Sequence, residues 1–202
     1  MKGNVFVICA PSGAGKTSLV AGLLQRDQRA RLSISHTTRA ARPGEVDGRD
    51  YHFVSKQVFQ VMIERGEFLE SAEVHGNSYG TSQAWVDQQR MQDVDIVLEI
   101  DWQGAQQVRR LMADAIGIFI LPPRADTLRR RLVDRAQDSP DVIERRLKAA
   151  WGEIAHLTEF DYVIINNNFD EAVEDLASVV RAARLKMPLQ VARHDDLINS
   201  LK

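Results

Sequence analysis

Apolar residues along this chain fall into short continuous runs separated by stretches with helical spacing. Residues 4–9 form a run rich in Val and Ile that ends at a glycine-rich turn. Further runs occupy residues 95–100, Ile116–Leu121 and Tyr162–Ile165. Runs of this length with β-branched residues and flanking turn signals predict buried strands. After the first run, Leu19, Val20, Leu23 and Leu24 recur at a helical period, which predicts a helix over residues 16–25. Helical sequence also begins near Trp102, Arg124 and Asp170, after each of the later runs. Strand and helix in alternation predict an α/β fold around a central, mainly parallel sheet.

Two stretches break the rhythm. Residues 34–90 are polar, carry turn signals at Arg42-Pro43-Gly44, Asp47-Gly48 and Gly76-Asn77, and mix strand-like pieces with helices near Lys56–Glu64 and residues 82–90. Residues 123–157 are mostly helical and arginine-rich, with a break at Gln137-Asp138-Ser139-Pro140. Both are expected to be insertions on one core made of residues 1–33, 91–122 and 158–187, the first able to hold a ligand and the second able to move as a lid. The residues from 188 to 202 read as a polar tail.

Composition narrows the classes. The 202 residues are 44% hydrophobic and 27% charged, with a formal net charge of −2, which suits a globular domain and gives no general attraction to nucleic acid polymers. Basic residues cluster locally around Arg39, Arg42 and Arg49 and between Arg124 and Arg146, a distribution suited to a small anion. No apolar stretch is long enough for a membrane span, and the single cysteine, Cys9, lies in an apolar run and allows no intrachain disulfide. A reducing, cytoplasmic setting is the expectation.

The strongest local motif is Ala10-Pro11-Ser12-Gly13-Ala14-Gly15-Lys16-Thr17, between the first strand and the first helix. Glycines let backbone N–H groups converge on phosphate oxygens, and the following helix adds the positive end of its dipole. Lys16 can reach the β- and γ-phosphates and the Thr17 hydroxyl can ligate Mg²⁺. Such loops usually open on Gly; here the first position is Ala10, with Gly13 and Gly15 retained. The loop predicts binding of a nucleoside triphosphate without choosing between a GTPase, a motor ATPase and a kinase.

Ser35-His36-Thr37-Thr38-Arg39-Ala40-Ala41-Arg42-Pro43-Gly44-Glu45, followed by Tyr51, brings two guanidinium groups and a phenol near one another. That set suits a dianionic phosphate, and equally a solvated basic loop. Glu70 and Glu73 stand in a strand-like segment ahead of Tyr79-Gly80-Thr81. A carboxylate can read the adjacent N1–H and N2–H₂ donors of guanine, whereas adenine presents the wrong pattern. Glu99 and Asp101 close a buried strand, where they can position Mg²⁺ through water, bind a base, or, for Asp101, cap a helix. The five histidines show no metal-ligand spacing, and His36, His52 and His75 are expected to make local hydrogen bonds.

Taken together, the 35–45 segment, Gly48 with Tyr51, Gly76-Asn77-Ser78-Tyr79-Gly80-Thr81, Asp101-Trp102-Gln103-Gly104-Ala105 and Ile118-Phe119-Ile120-Leu121-Pro122-Pro123 resemble the guanylate kinases in order and spacing, over roughly residues 3–187. The resemblance implies a P-loop core with a nucleoside-monophosphate-binding insertion and a helical lid, and transfer of phosphate from ATP to GMP or dGMP, with Mg²⁺. It implies that Arg39, Arg42, Tyr51 and Tyr79 hold the GMP phosphate. Glu70 and Asp101 would read guanine, with Ser35 and Thr81 near O6. Lys16, Arg42, Arg135 and Arg146 would act on the transferred group. Asn166 would lie near adenine, and Glu99, where the family often has Asp, would contact Mg²⁺ through water. Asn167 and Asn168 stand where the family more usually has acidic residues. A homodimer is left open. The competing readings are an inactive interaction module, disfavoured by the intact Lys16-Thr17 pair; a related kinase with another acceptor, disfavoured by Glu70 and Asp101; and a GTPase, whose Asn-Lys-x-Asp motif is absent.

Overall fold

The computed structural model describes residues 2–74, 76–134 and 140–202. Its centre is a five-stranded sheet of β1 (Val5–Cys9), β2 (Ala30–Leu32), β7 (Asp95–Glu99), β8 (Ile116–Leu121) and β9 (Tyr162–Ile165), ordered β2-β7-β1-β8-β9 with every pair parallel. The α/β architecture expected from the alternating pattern is the one observed. A parallel sheet needs cover on both faces, which is why its strands read as unbroken apolar runs.

Side chains of β1 alternate between two cores. Phe6 and Ile8 join Leu19, Val20 and Leu23 of α1 (Lys16–Arg26) and Val173, Leu176 and Val180 of α7 (Phe169–Arg184). Val5, Val7 and Cys9 join Val86 of α3 (Gln83–Met91) and Ala105 and Val108 of α4 (Trp102–Leu111). The Cys9 thiol is buried, donates to the Ile100 carbonyl at 3.2 Å, and is pushed far above the ordinary thiol range by burial, so it is an inert core group.

A second sheet, ordered β4-β3-β6-β5, combines β3 (His36–Thr37), β4 (His52–Phe53), β5 (Phe68–Val74) and β6 (Asn77–Ser82), with α2 (Lys56–Glu64) against it. Gln107 of α4 fastens this sheet to the core by copying a strand partner: its amide donates to the Ser71 carbonyl at 2.8 Å and accepts from the Ser71 N–H at 3.1 Å. Helices α5 (Ala125–Asp134) and α6 (Pro140–Ile154) meet around a separate small cluster of Leu128, Leu147 and Ala150. Residues after 187 are helical, in α8 (Met187–Arg193) and α9 (Asp195–Ser200). Arg193 bonds Asp93 at 3.0 Å and Gln190 bonds the Arg184 carbonyl at 2.8 Å, so polar contacts, rather than apolar burial, hold α8.

Candidate active site

The turn between β1 and α1 gets its shape from two glycines. Gly13 (φ 92°) and Gly15 (φ 97°) take the left-handed conformation that a Cβ disfavours. Ala10 does not: among the described residues Asp93 is the sole non-glycine with positive φ, which is why alanine is tolerated at the opening of the loop. Gly15 is also the N-cap of α1 and offers no side chain to it, whereas α2, α3, α4 and α7 are capped by Ser55, Ser82, Asp101 and Asn168. The first N–H groups of α1 are thus left to an anion.

Neighbours fix this loop from below and above. Asn166, buried at the end of β9, donates to the Ala14 carbonyl at 2.8 Å, so its amide supports the loop from beneath. Lys16 Nζ donates to the Ile100 carbonyl at 3.1 Å. The Thr17 hydroxyl donates to Glu99 Oε2 at 3.0 Å, while Glu99 Oε1 is buried with no hydrogen-bond partner among the described residues. Arg146 of α6 donates to the Ser12 hydroxyl at 2.7 Å. These groups frame a cavity of about 290 Å³ lined by Ser12, Gly13, Lys16, Thr17, Asp101 and Glu153 among others.

A second pocket of about 180 Å³ opens beside the first and shares Lys16, Val74 and Asp101 with it. Alternation along β5 settles which glutamate faces it. Glu70, Ala72 and Val74 line the pocket, and Glu73, a residue out of phase, is exposed. Thr81, wholly buried, donates its hydroxyl to Glu70 Oε1 at 2.6 Å. Glu70 is 3% exposed, and burial pushes its carboxyl up to about 7, against the bond from Thr81 and with help from the Asp101 charge. Asp101 both lines the pocket and caps α4, accepting from Gly104 N–H at 2.9 Å, so the capping and ligand-facing readings of this residue hold together.

Ser35, Tyr51 and Tyr79 complete the pocket wall, the two tyrosine rings lying 6.0 Å apart. Arg39 borders them, with its guanidinium 5.3 Å from the Tyr51 ring centroid and bonded to Glu45 at 2.8 Å. Arg42 stands on the same loop, exposed, its backbone N–H donating to Glu45 at 2.7 Å. Arg135 and His75 lie outside the described residues. His36 and His52 face each other across the β3–β4 pair with ring centroids 4.7 Å apart.

Two residues near the site are not among the candidate site residues. Glu153 reaches the loop from the last turn of α6, a position that no sequence spacing marks. Gly104 lies so close to Glu70 that a Cβ there would sit 2.4 Å from Glu70 Oε2; its sequence signals are its place in the 101–105 motif and a glycine inside a helical pattern.

The two adjoining pockets share Lys16, beside a glycine-rich loop of phosphate-binding type. That is the arrangement of a P-loop kinase that phosphorylates a nucleoside monophosphate. The guanylate kinase profile matches residues 2–183. Guanylate kinases from Methylobacillus flagellatus and Dechloromonas aromatica are each 57% identical over 201 residues, covering all of both chains. A crystal structure of guanylate kinase from Anaplasma phagocytophilum superposes with a TM-score of 0.78 at 35% identity, over 92% of this chain and 88% of that one. The chain belongs to the guanylate kinase family, whose reaction is ATP-dependent phosphorylation of GMP to GDP. None of the helices, among the described residues, is long and apolar enough to cross a membrane.

Proposed function

We propose that the two joined pockets divide the substrates: ATP phosphates on residues 10–17 and GMP between the second sheet and α4. The observation that carries this division is the shared wall of Lys16 and Asp101 between a backbone phosphate cradle and a pocket holding a buried carboxylate. Glu70 and Asp101 accept the guanine N1–H and N2–H₂ donors, and Ser35 and Thr81 stand near O6. Thr81 already donates to Glu70, so it also orients the reading carboxylate. Arg39, Arg42, Tyr51 and Tyr79 take the GMP phosphate, and Asn166 acts on the ATP side through the loop it supports. No sequence motif of the chain reads a 2′-hydroxyl, so dGMP is accepted too.

An oxygen of the GMP phosphate attacks the γ-phosphorus in line, and as that bond forms the bond from the γ-phosphorus to the β,γ-bridging oxygen breaks and ADP leaves with the electron pair. That phosphate is already ionised, so no side chain needs to remove a proton. Lys16, with Arg42, Arg135 and Arg146, balances charge on the transferred group. Arg146 already touches Ser12, so closure of residues 123–157 has a short distance to travel and excludes water that would hydrolyse ATP. Glu99 and Thr17 supply hard oxygen donors, one of them a buried atom without a partner, and this suits Mg²⁺ held by Thr17 and through water by Glu99. Bound there, the ion would neutralise β- and γ-phosphate charge.

Release of ADP from Mg·ATP with GMP, dGMP, AMP, CMP or UMP as acceptor tests the proposal. Activity with GMP and dGMP alone is expected. Comparable rates with AMP would overturn the carboxylate reading of guanine and leave the phosphate cradle standing.

A further inference from the structure

Glu153 has no role in the division of substrates above, and its surroundings are unusual for a glutamate. It sits one residue before the end of α6 and lines the phosphate-loop cavity together with Lys16 and Asp101. The Ser12 backbone N–H is close enough to draw the Glu153 carboxyl down, against the effect of burial. Its Oε2 is buried with no hydrogen-bond partner among the described residues. Burial pushes its carboxyl up to about 6, with Lys16 pulling it down and Asp101 adding to the rise. Two turns earlier on the same helix face, Arg146 binds the Ser12 hydroxyl at 2.7 Å. One face of α6 therefore lays a cation and an anion on the same loop residue.

The cation is what a phosphate site calls for, and the anion is not. A buried carboxylate facing a polyphosphate is repelled by it, and the repulsion is strong where water is excluded. A helix end could be packed on the loop by an apolar or amide side chain with no such cost. Without nucleotide, however, a carboxylate does for the loop part of what a phosphate does: it places negative charge beside the loop and balances Lys16.

We propose that Glu153 is the counter-anion of the nucleotide-free phosphate loop, balancing the charge of Lys16 in the cavity they share until ATP displaces it. This rests on the reading of residues 10–17 as the ATP site. The residue is a positioning residue and a competitor of the triphosphate; it takes no part in bond making.

A plain anchoring role makes the opposite prediction, because loss of an anchor loosens the loop and weakens phosphate binding. Calorimetric titration of pyrophosphate and of ATP, without GMP, into the wild-type chain, E153Q and E153A separates the two. Removing one like charge from a partly buried site should tighten both ligands by roughly fivefold to tenfold. The factor should be similar for the two ligands, since phosphate is what they share, and E153A, which has no donor to offer phosphate, should move in the same direction as E153Q. Unchanged or weaker binding of both ligands in both variants, with melting temperatures near wild type, overturns the proposal. Wild-type protein that binds neither ligand would instead overturn the assignment of the loop itself.

Discussion

In the proposed reading, Glu70 carries a cost of guanine recognition before guanine arrives. Its carboxyl rises from 4.5 to about 7 in the folded chain, so between those values the folded state holds a proton that the unfolded state has lost. Stability from this group is full below 4.5 and declines as pH rises towards 7, then stays level. Thermal melting should therefore fall more between about pH 5 and about pH 8 in the wild type than in E70Q. Guanine requires the ionised form, so GMP affinity should weaken as pH drops below 7, with a slope that E70Q lacks. In E70Q an amide N–H can face the guanine N1–H, and the KM for GMP should rise by about a hundredfold. Steady-state kinetics of both forms across this pH range checks both outcomes. At this scale Lys16 and Thr17 were legible through fixed spacing in one turn, whereas the local pattern left Glu70 and Glu73 equivalent and only the family resemblance singled out Glu70. Their separation depends on strand phase and on the irregular register between Phe68 and Glu70, which only the paired sheet defines. Glu153 was illegible for a different reason: its function arises where a helix end meets a loop far away in sequence.

Helix α4 is shaped by what it must leave out. A glycine inside a helix ordinarily gains about 1 kcal/mol when replaced by alanine. At Gly104 the added Cβ would meet Glu70 Oε2 at 2.4 Å and its Cδ at 3.1 Å, so the carboxylate must move. G104A should raise the KM for GMP at least about tenfold without the usual gain in melting temperature, since a displaced buried carboxylate loses its Thr81 partner. An unchanged KM would show that Glu70 tolerates the shift. Elements with strong periodicity, such as α1, α7 and the core strands, were readable from the apolar pattern. The two-residue strands β3 and β4 were not, because they hold together through partners such as Gly80 and through each other. The terminal helices α8 and α9 escaped because neither buries a side chain in the core; α8 is held instead by the ion pair of Arg193 with Asp93.

Across the molecule, the cluster of Leu128, Leu147 and Ala150 stands apart from the two cores, so α5 and α6 share little apolar surface with the sheet. Contact is renewed at the end of α6, where His156 stacks on Trp102 at 3.7 Å between ring centroids and 7° between planes. Trp102 directly follows Asp101, so the stack spans the point where a moving segment would meet the site. Binding of ADP with GMP should alter tryptophan emission by about a tenth or more if α6 shifts as closure requires. W102F should lose that response while Trp85 and Trp151 remain. Emission indifferent to ligands in the wild type would mean that this joint stays fixed during closure. The common wall of Lys16, Val74 and Asp101 has a consequence of another kind. Two chambers separated only by side chains that face both can be filled by one molecule with a purine at each end of a phosphate chain. Once one end has docked, the other is held near its own chamber at an effective concentration on the order of millimolar, so such a tethered ligand would bind far more tightly than either half.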